Sequence, residues 1–116
     1  MLELYQAEWC PASSRVRRRL TELGVDFVAR QVPVEREDRG ALRRLSGGES
    51  IPALVLHDGS TIRGEDEIRA YLDRRFEETP QTKAHRRKVA EIRRRERVSR
   101  RRPPARRGAV SRPRAG

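Results

Sequence analysis

The sequence contains a single cysteine, Cys10, among its 116 residues. One cysteine excludes an intrachain disulfide, so the chain does not depend on an oxidising compartment for its stability. It also excludes any catalytic cycle in which two cysteines of the chain bond to each other. We therefore expect a reducing compartment, the cytoplasm, as its location.

Long hydrophobic runs and a secretory signal are also missing. No apolar stretch approaches the ~20 residues that cross a bilayer, and the first nine residues lack the basic and apolar regions of a signal peptide. Hydrophobic residues make up only 34% of the chain, and they lie mainly before residue 77. These features predict a protein without a membrane partner, in which part of the chain stays outside the folded core.

Acidic residues are scarce at the C-terminal end. Residues 1–82 carry 13 basic and 15 acidic side chains, whereas residues 83–116 carry 15 basic and two acidic ones. We therefore divide the chain into a nearly neutral domain at residues 1–78 and an Arg-rich tail at residues 79–116. The tail has few apolar residues to bury, which predicts a conditional helix to about residue 98, with Val89, Ile92 and Val98 on one side, and disorder from Ser99.

The apolar pattern of residues 1–78 alternates between strand and helix spacing. Asp58-Gly59 is a hairpin turn signal between two short strands. Strands are predicted at residues 2–5, 25–32, 53–56 and from 61. Helices are predicted from Pro11 (capped by Ser13 or Ser14) to Gly24, at residues 41–45 (ended by Gly47-Gly48), and from Gly64 to Phe76. The order β-α-β-α-β-β-α predicts an α/β fold with a four-stranded mixed sheet and helices packed on it.

Cys10 lies between the first strand and the first helix, in the segment Trp9-Cys10-Pro11-Ala12-Ser13. A thiolate at this position faces the unpaired N–H groups and the positive end of the helix dipole. Both stabilise the charged form, and thiols in such positions have pKa values lowered to about 3.5–7.5. The context favours a reactive thiolate, and the alternative is a small buried hydrophobic residue.

Two further segments carry candidate binding groups. Pro52 in Ile51-Pro52 either begins the third strand or forms a cis bond that turns the Ile51 backbone outward, where it could pair with an extended peptide. Gly64-Glu65-Asp66 begins the last helix of the domain. Acids at a helix start complement the dipole, and beside open amides they also suit the ammonium and carboxylate groups of an α-amino acid.

Together the three segments resemble the glutaredoxins and the N-terminal thioredoxin-like domain of glutathione S-transferases. The resemblance covers residues 1 to about 78 and implies a thioredoxin-like fold of glutaredoxin type. It implies that Cys10 is the nucleophile, that Ile51 beside Pro52 pairs with the cysteinyl part of glutathione, and that Glu65 and Asp66 hold its γ-glutamyl end. The cosubstrate would be glutathione or an equivalent low-molecular-weight thiol.

The implied function is that of a monothiol thiol–disulfide oxidoreductase, because Ser13 stands where dithiol members have a second cysteine. Its partners would be glutathionylated or disulfide-bearing proteins, which the Cys10 thiolate attacks. Arg15, one turn into the first helix, is interpreted as a solvated helix residue outside the core site, with stabilisation of the thiolate as the alternative. No metal is expected, because neither histidine shows ligand spacing. The complete predicted glutathione site consists of Trp9, Pro11, Ser13, Ile51, Pro52, Glu65 and Asp66. Trp9 could instead be a packing residue, and packing is the preferred role of Tyr5.

A non-catalytic adaptor is the alternative function. In that hypothesis the fold is kept, with or without glutathione binding, while the arginines of the tail dock to nucleic acid or to an acidic partner. The tail has no aromatic residue, so its binding to nucleic acid would be non-specific. A solvated tail without a dedicated partner is also compatible with the sequence. A Cys10 pKa near that of free cysteine would favour the adaptor.

Overall fold

Four strands form one mixed sheet in the computed structural model, which describes residues 1–101. β1 is parallel to β2 and antiparallel to β3, and β3 is antiparallel to β4. This confirms the predicted α/β fold with a four-stranded mixed sheet. The strands are β1 (Leu2–Gln6), β2 (Phe27–Gln31), β3 (Ala53–Val55) and β4 (Thr61–Arg63), in the spatial order β2-β1-β3-β4.

The helices of the domain follow the predicted order. The C-cap of α2 is Gly47, whose φ of 77° is the left-handed conformation that glycine adopts without strain. A short 3₁₀ turn at Arg36–Asp38, which the sequence pattern did not predict, precedes α2. The helices are α1 (Pro11–Glu22), α2 (Gly40–Ser46), α3 (Glu65–Arg75) and α4 (Pro80–Arg101).

The start of α1 differs from the prediction that Ser13 or Ser14 caps it. The N-cap is Cys10 itself, in an extended conformation, and its side chain accepts a hydrogen bond from the Ser13 N–H. Pro11 explains the difference, because a proline disfavours helical geometry in the residue before it and is well suited to the first helical position. The thiol therefore occupies the position that a capping hydroxyl fills in other helices.

The hydrophobic core lies between the sheet and the helices α1 and α3. Alternate residues of β1 point into it, as the period of a strand requires. A fully buried leucine or isoleucine contributes about 1.5–3 kcal/mol to stability, so this layer holds the N-terminal end of α1 in place. The buried members of the cluster are Leu2, Leu4, Val16, Leu20, Leu23, Leu54, Ile68 and Leu72.

A buried guanidinium links α1 to α3 and to the segment after it. The side chain of Arg19 is only 10% exposed and forms ion pairs with Glu22, Asp73 and Glu78, at 3.1, 2.9 and 3.0 Å. Three carboxylates supply the hydrogen-bond acceptors that a desolvated guanidinium requires. The cluster therefore fixes the residues just beyond α3 against α1.

α4 begins at a capping arrangement that the sequence analysis did not recognise. The Thr79 hydroxyl accepts a hydrogen bond from the Gln81 N–H at 3.2 Å, and the buried Thr82 hydroxyl accepts one from the Thr79 N–H at 3.0 Å. With Pro80 at the first helical position, this resembles a capping box. Within residues 1–101, no helix has the length and apolar character needed to span a membrane.

The helix differs from the predicted conditional helix to about residue 98, because it continues to Arg101. Residues 99–101, predicted to be disordered, are helical, and the rest of that predicted segment lies outside the described residues. Val98 does not share a side with Val89, since nine residues place the two on roughly opposite faces of a helix. The chain divides into two compact units, and the first ends at His85, inside α4.

Candidate functional site

The sheet topology brings the three candidate segments to one edge. Cys10 follows the C-terminal end of β1, and Pro52 precedes β3, which runs antiparallel to β1 with Tyr5 opposite Ala53. β4 ends opposite the start of β3, since Arg63 pairs with Ala53, and α3 begins two residues later. Segments far apart in sequence therefore meet at the same end of the sheet.

Cys10 is a partly exposed N-cap rather than a buried core residue. Its Sγ atom accepts a hydrogen bond from the Ser13 N–H at 3.4 Å, and its own N–H donates to the Ala7 carbonyl at 3.2 Å. The sulfur is thus held at the positive end of α1 while remaining open to a reagent. This geometry disfavours the alternative of a small buried hydrophobic residue.

The pKa of the Cys10 thiol lies below its ordinary value. Partial burial acts in the opposite direction and raises the pKa. That effect is outweighed by hydrogen bonds from the Ser13 side chain and backbone and from the Ala12 backbone, together with the positive charge of Arg15. More of the sulfur is therefore in the nucleophilic thiolate form at neutral pH than in a free cysteine.

Arg15, whose sequence position predicts a solvated helix residue, connects the thiol to the start of α3. Its Nε and Nη2 donate to the two carboxylate oxygens of Glu65 at 2.6 and 2.9 Å. The hydrogen bond from Arg15 is the main reason that the pKa of Glu65 is lowered. A bidentate pair fixes the orientation of the guanidinium, so the charge that acts on Cys10 is held in place.

The Ile51-Pro52 peptide bond is cis, which decides between the two alternatives left open by the sequence. The Pro52 carbonyl accepts a hydrogen bond from the Gly64 N–H at 3.0 Å, so this loop is attached directly to the start of α3. Among the hydrogen bonds of residues 1–101, the Ile51 N–H and carbonyl have no partner. They are available to an extended ligand, which pairs with backbone as an added strand does.

The start of α3 offers open donors next to negative charge. Its N-cap is Gly64, which has no side chain to cap the first N–H groups, so those groups remain available to a ligand carboxylate. Asp66 is exposed, while both oxygens of Glu65 are engaged by Arg15. Asp66 is consequently the freer acid for a ligand ammonium group.

The remaining predicted site residues fall into different environments. Trp9, next to Cys10 in the chain, is 59% exposed, so it does not belong to the hydrophobic core. Ser13 is fully buried, and its hydroxyl accepts a hydrogen bond from the Ala7 N–H at 3.4 Å, so its side chain supports the loop rather than lining an open surface. Pro11 is exposed at the first position of α1, and Tyr5 is half-buried in β1.

Residues 1–101 contain no group of three or more histidine, cysteine, aspartate or glutamate side chains that could hold a metal ion. His57 interacts instead with the N-terminal ammonium group, at 3.0 Å from its Nδ1. The candidate site thus consists of the Cys10 thiol, the Glu65 carboxylate held by Arg15, and the open peptide groups of Ile51 and of the start of α3. Its chemistry is that of a nucleophile beside a peptide-binding edge.

Comparison with solved structures places this fold among glutathione-related proteins. A glutathione S-transferase domain-containing protein from Marinobacter aquaeolei VT8 is 29% identical over 66% of this chain and 40% of its own, with a TM-score of 0.58. A glutathione S-transferase from Methylobacillus flagellatus KT with bound glutathione is 26% identical over 70% of this chain and 38% of its own, also at 0.58. The chain spans little more than a third of the length of such relatives.

A glutaredoxin shares the fold as well. Glutaredoxin 2 from Salmonella typhimurium, solved in complex with glutathione, is 19% identical over 63% of this chain and 33% of its own, with a TM-score of 0.57. At that identity the likeness concerns the fold alone. A comparison with curated proteins found no match.

The family model described as glutathione S-transferase, N-terminal domain, matches residues 4–80. That range contains Cys10, the cis-proline loop and the start of α3, so the match covers all three segments of the site. It accounts for well over half of the chain. The chain therefore belongs to the family of glutathione S-transferase N-terminal domains.

Proposed function

We propose that this protein is a monothiol thiol–disulfide oxidoreductase that acts on mixed disulfides of glutathione or an equivalent thiol. The observation that carries the proposal is the position of Cys10, whose partly exposed sulfur is the N-cap of α1 and accepts the Ser13 N–H. A thiolate stabilised there is both nucleophile and leaving group. A non-catalytic adaptor would not need an exposed thiol with a lowered pKa.

The reaction takes two exchange steps. The Cys10 thiolate attacks the glutathione sulfur of a glutathionylated protein; a new disulfide forms between Cys10 and glutathione, and the protein leaves as a thiolate that takes up a proton. A second glutathione thiolate then attacks the same glutathione sulfur, forms oxidised glutathione and releases the Cys10 thiolate. In sum, one mixed disulfide and one glutathione thiol give the free protein thiol and oxidised glutathione, so the protein sulfur is reduced and the incoming glutathione sulfur is oxidised.

The other segments hold the glutathionyl group in line with Cys10. The unpaired Ile51 N–H and carbonyl bind the cysteinyl part of the tripeptide as an added strand would. The open N–H groups at the start of α3 donate hydrogen bonds to the γ-glutamyl carboxylate, and Asp66 attracts its ammonium group. Glu65 acts through Arg15 and is therefore a positioning residue rather than a direct ligand in this arrangement.

The cytoplasm suits this reaction. Regeneration of Cys10 requires a pool of reduced thiol, which cytoplasmic glutathione or an equivalent supplies. The protein partners would be those that carry glutathionylated cysteines.

Turnover with a small glutathione mixed disulfide tests the proposal. Cys10→Ser removes the nucleophile, and we expect it to abolish deglutathionylation to the level of the uncatalysed reaction. Ser13→Ala removes the side-chain hydrogen bond that lowers the Cys10 pKa but keeps the backbone N–H that contacts the sulfur, so it should retain about a third or more of the original rate.

The Ser13 variant is the matched control, because it lies in the same motif and changes a single oxygen. Circular dichroism establishes that both variants are folded. Equal loss of activity in the two folded variants would contradict a monothiol mechanism. Full activity in Cys10→Ser would remove Cys10 from the chemistry altogether.

A further inference from the structure

The described part of α4 beyond His85 carries a one-sided row of arginines that the thiol chemistry does not use. Arg87, Arg94, Arg97 and Arg101, with Ala90 among them, are separated by three or four residues and are all exposed. Side chains at this spacing share one face of a helix. We call this row the arginine stripe.

Acidic side chains do not neutralise the stripe. Glu91 forms ion pairs with Lys88 at 3.7 Å and with Arg95 at 2.7 Å, and both of these basic residues lie off the stripe. Among the ion pairs of residues 1–101, the stripe arginines have no carboxylate partner. Four guanidinium groups lie on one face without a carboxylate partner among residues 1–101. They therefore create a strong positive potential at that face.

The arginine stripe is long enough to lie along several phosphates of duplex DNA. From Arg87 to Arg101 a helix rises about 21 Å, and B-form DNA carries one phosphate charge per about 1.7 Å of its axis. The major groove of B-form DNA is about 12 Å wide and admits an α-helix, whereas that of A-form RNA is too deep and narrow. The planar guanidinium also binds phosphate oxygens in a bidentate manner.

Other anionic partners fit less well. A helix that lies on a membrane presents large apolar residues opposite its basic face, but residues 86–101 contain no tryptophan, phenylalanine or leucine. Binding to single strands relies on aromatic side chains that stack on bases, and the same residues contain none. The composition therefore favours a partner that offers regularly spaced phosphates without requiring burial of apolar surface.

We propose that the arginine stripe of α4 binds double-stranded DNA through its backbone phosphates, without sequence specificity. The inference depends on α4 and not on Cys10, so it can hold or fail independently of the proposed redox function.

The test is fluorescence anisotropy of a labelled 20-base-pair duplex with the full chain at several salt concentrations. We expect affinity to fall steeply as salt rises. The double variant Arg94→Gln/Arg97→Gln should lower affinity about tenfold near 0.1 M salt and reduce the slope of log K against log salt by about 1.8. Glutamine has a helix propensity close to that of arginine, so helicity should not change.

The matched control is Lys88→Gln/Arg95→Gln, which removes two positive charges from the same helix but off the stripe. We expect it to weaken binding less than about threefold. Equal loss in the two double variants would overturn the stripe as the site, because binding would then follow bulk charge. Tighter binding to a single strand of equal length, or to phosphatidylserine vesicles, would overturn duplex DNA as the partner.

Discussion

The reactivity of the sulfur depends on groups that are close in space but belong to different helices. Backbone and side-chain hydrogen bonds from the first turn of α1 act on Cys10 directly, whereas the charge of Arg15 acts across the helix surface. Arg15 is in turn oriented by Glu65 at the start of α3. The Arg15–Glu65 ion pair therefore links the ionisation of the Cys10 thiol to the start of α3, the segment that would hold the ligand.

Arg15→Gln should move the pH profile of Cys10 alkylation to higher pH. Loss of the positive charge removes a stabilising interaction from the thiolate, so the pKa rises and the thiolate fraction at pH 7 falls. We expect the iodoacetamide rate at that pH to fall about threefold. Well above the pKa in both proteins, the two rates should converge, because the sulfur is then ionised in each.

Arg18→Gln is the control for this prediction. It removes one positive charge from the same helix, and among residues 1–101 no hydrogen bond or ion pair of Arg18 was found. Its alkylation profile should coincide with that of the unmodified protein. Rates that stay different at high pH in Arg15→Gln would indicate a change in access to the sulfur rather than in its charge.

Sequence reasoning located the site residues better than it located their contacts. Cys10 before Pro11 is a local signal, because the proline itself sets the helix start and hence the N-cap. The pairing of Arg15 with Glu65 is not local, since 50 residues separate them and their meeting depends on how α1 packs against α3. Ser13 shows the same limit, because its predicted site role gave no indication that its hydroxyl would be buried.

At the scale of elements, the junction of α1 and α3 depends on one charged residue as well as on apolar packing. Arg19 lies among three carboxylates that belong to α1, to α3 and to the segment that follows α3. Removing the Arg19 guanidinium leaves the Glu22 carboxylate, which is 12% exposed, desolvated without the Arg19 cation, whereas Asp73 and Glu78, at 51% and 38%, regain water.

Arg19→Gln should therefore lower the free energy of unfolding by about 2 kcal/mol or more. Arg30→Gln is the comparison, since Arg30 pairs with Glu3 at 2.9 Å on an exposed surface, and such pairs contribute about 0–1 kcal/mol. Urea denaturation measures both, and the midpoint should shift for Arg19→Gln with little change in the m-value. A similar small shift in both variants would show that Arg19 is effectively solvated.

The element boundaries followed from turn and capping residues wherever those residues were recognised. Gly47 and the Asp58-Gly59 turn end elements close to where the pattern placed them, because their effect on the backbone is local. The conditional helix predicted in the tail corresponds to α4, and the cap formed by Thr79, Pro80 and Thr82 sets its first residue. The scarcity of apolar residues predicts only a conditional helix, because few side chains of this segment can be buried.

At the scale of the whole molecule, charge and chemistry are separated along the chain. The thiol, the cis-proline loop and the start of α3 belong to the compact unit Met1–His85, which is close to neutral by sequence. Residues 86–116 carry 14 basic and two acidic side chains, which accounts for the net charge of +11 of the whole chain. Net charge governs non-specific association and not the fold, so the two properties should be separable by experiment.

A chain that ends at His85 should fold and keep its thiol chemistry while losing its affinity for DNA. It retains the Arg19 cluster and the Thr79–Thr82 cap, so we expect its thermal midpoint to lie within about 5 °C of that of the full chain, which corresponds to a loss near 1 kcal/mol. The pH profile of Cys10 alkylation should be unchanged, because the groups that act on the sulfur precede residue 86.

A thermal midpoint lowered by more than about 10 °C, or a displaced pH profile, would mean that residues after His85 support the domain. Retained salt-dependent binding to duplex DNA would place the DNA-binding surface before residue 86 and would exclude the arginine stripe.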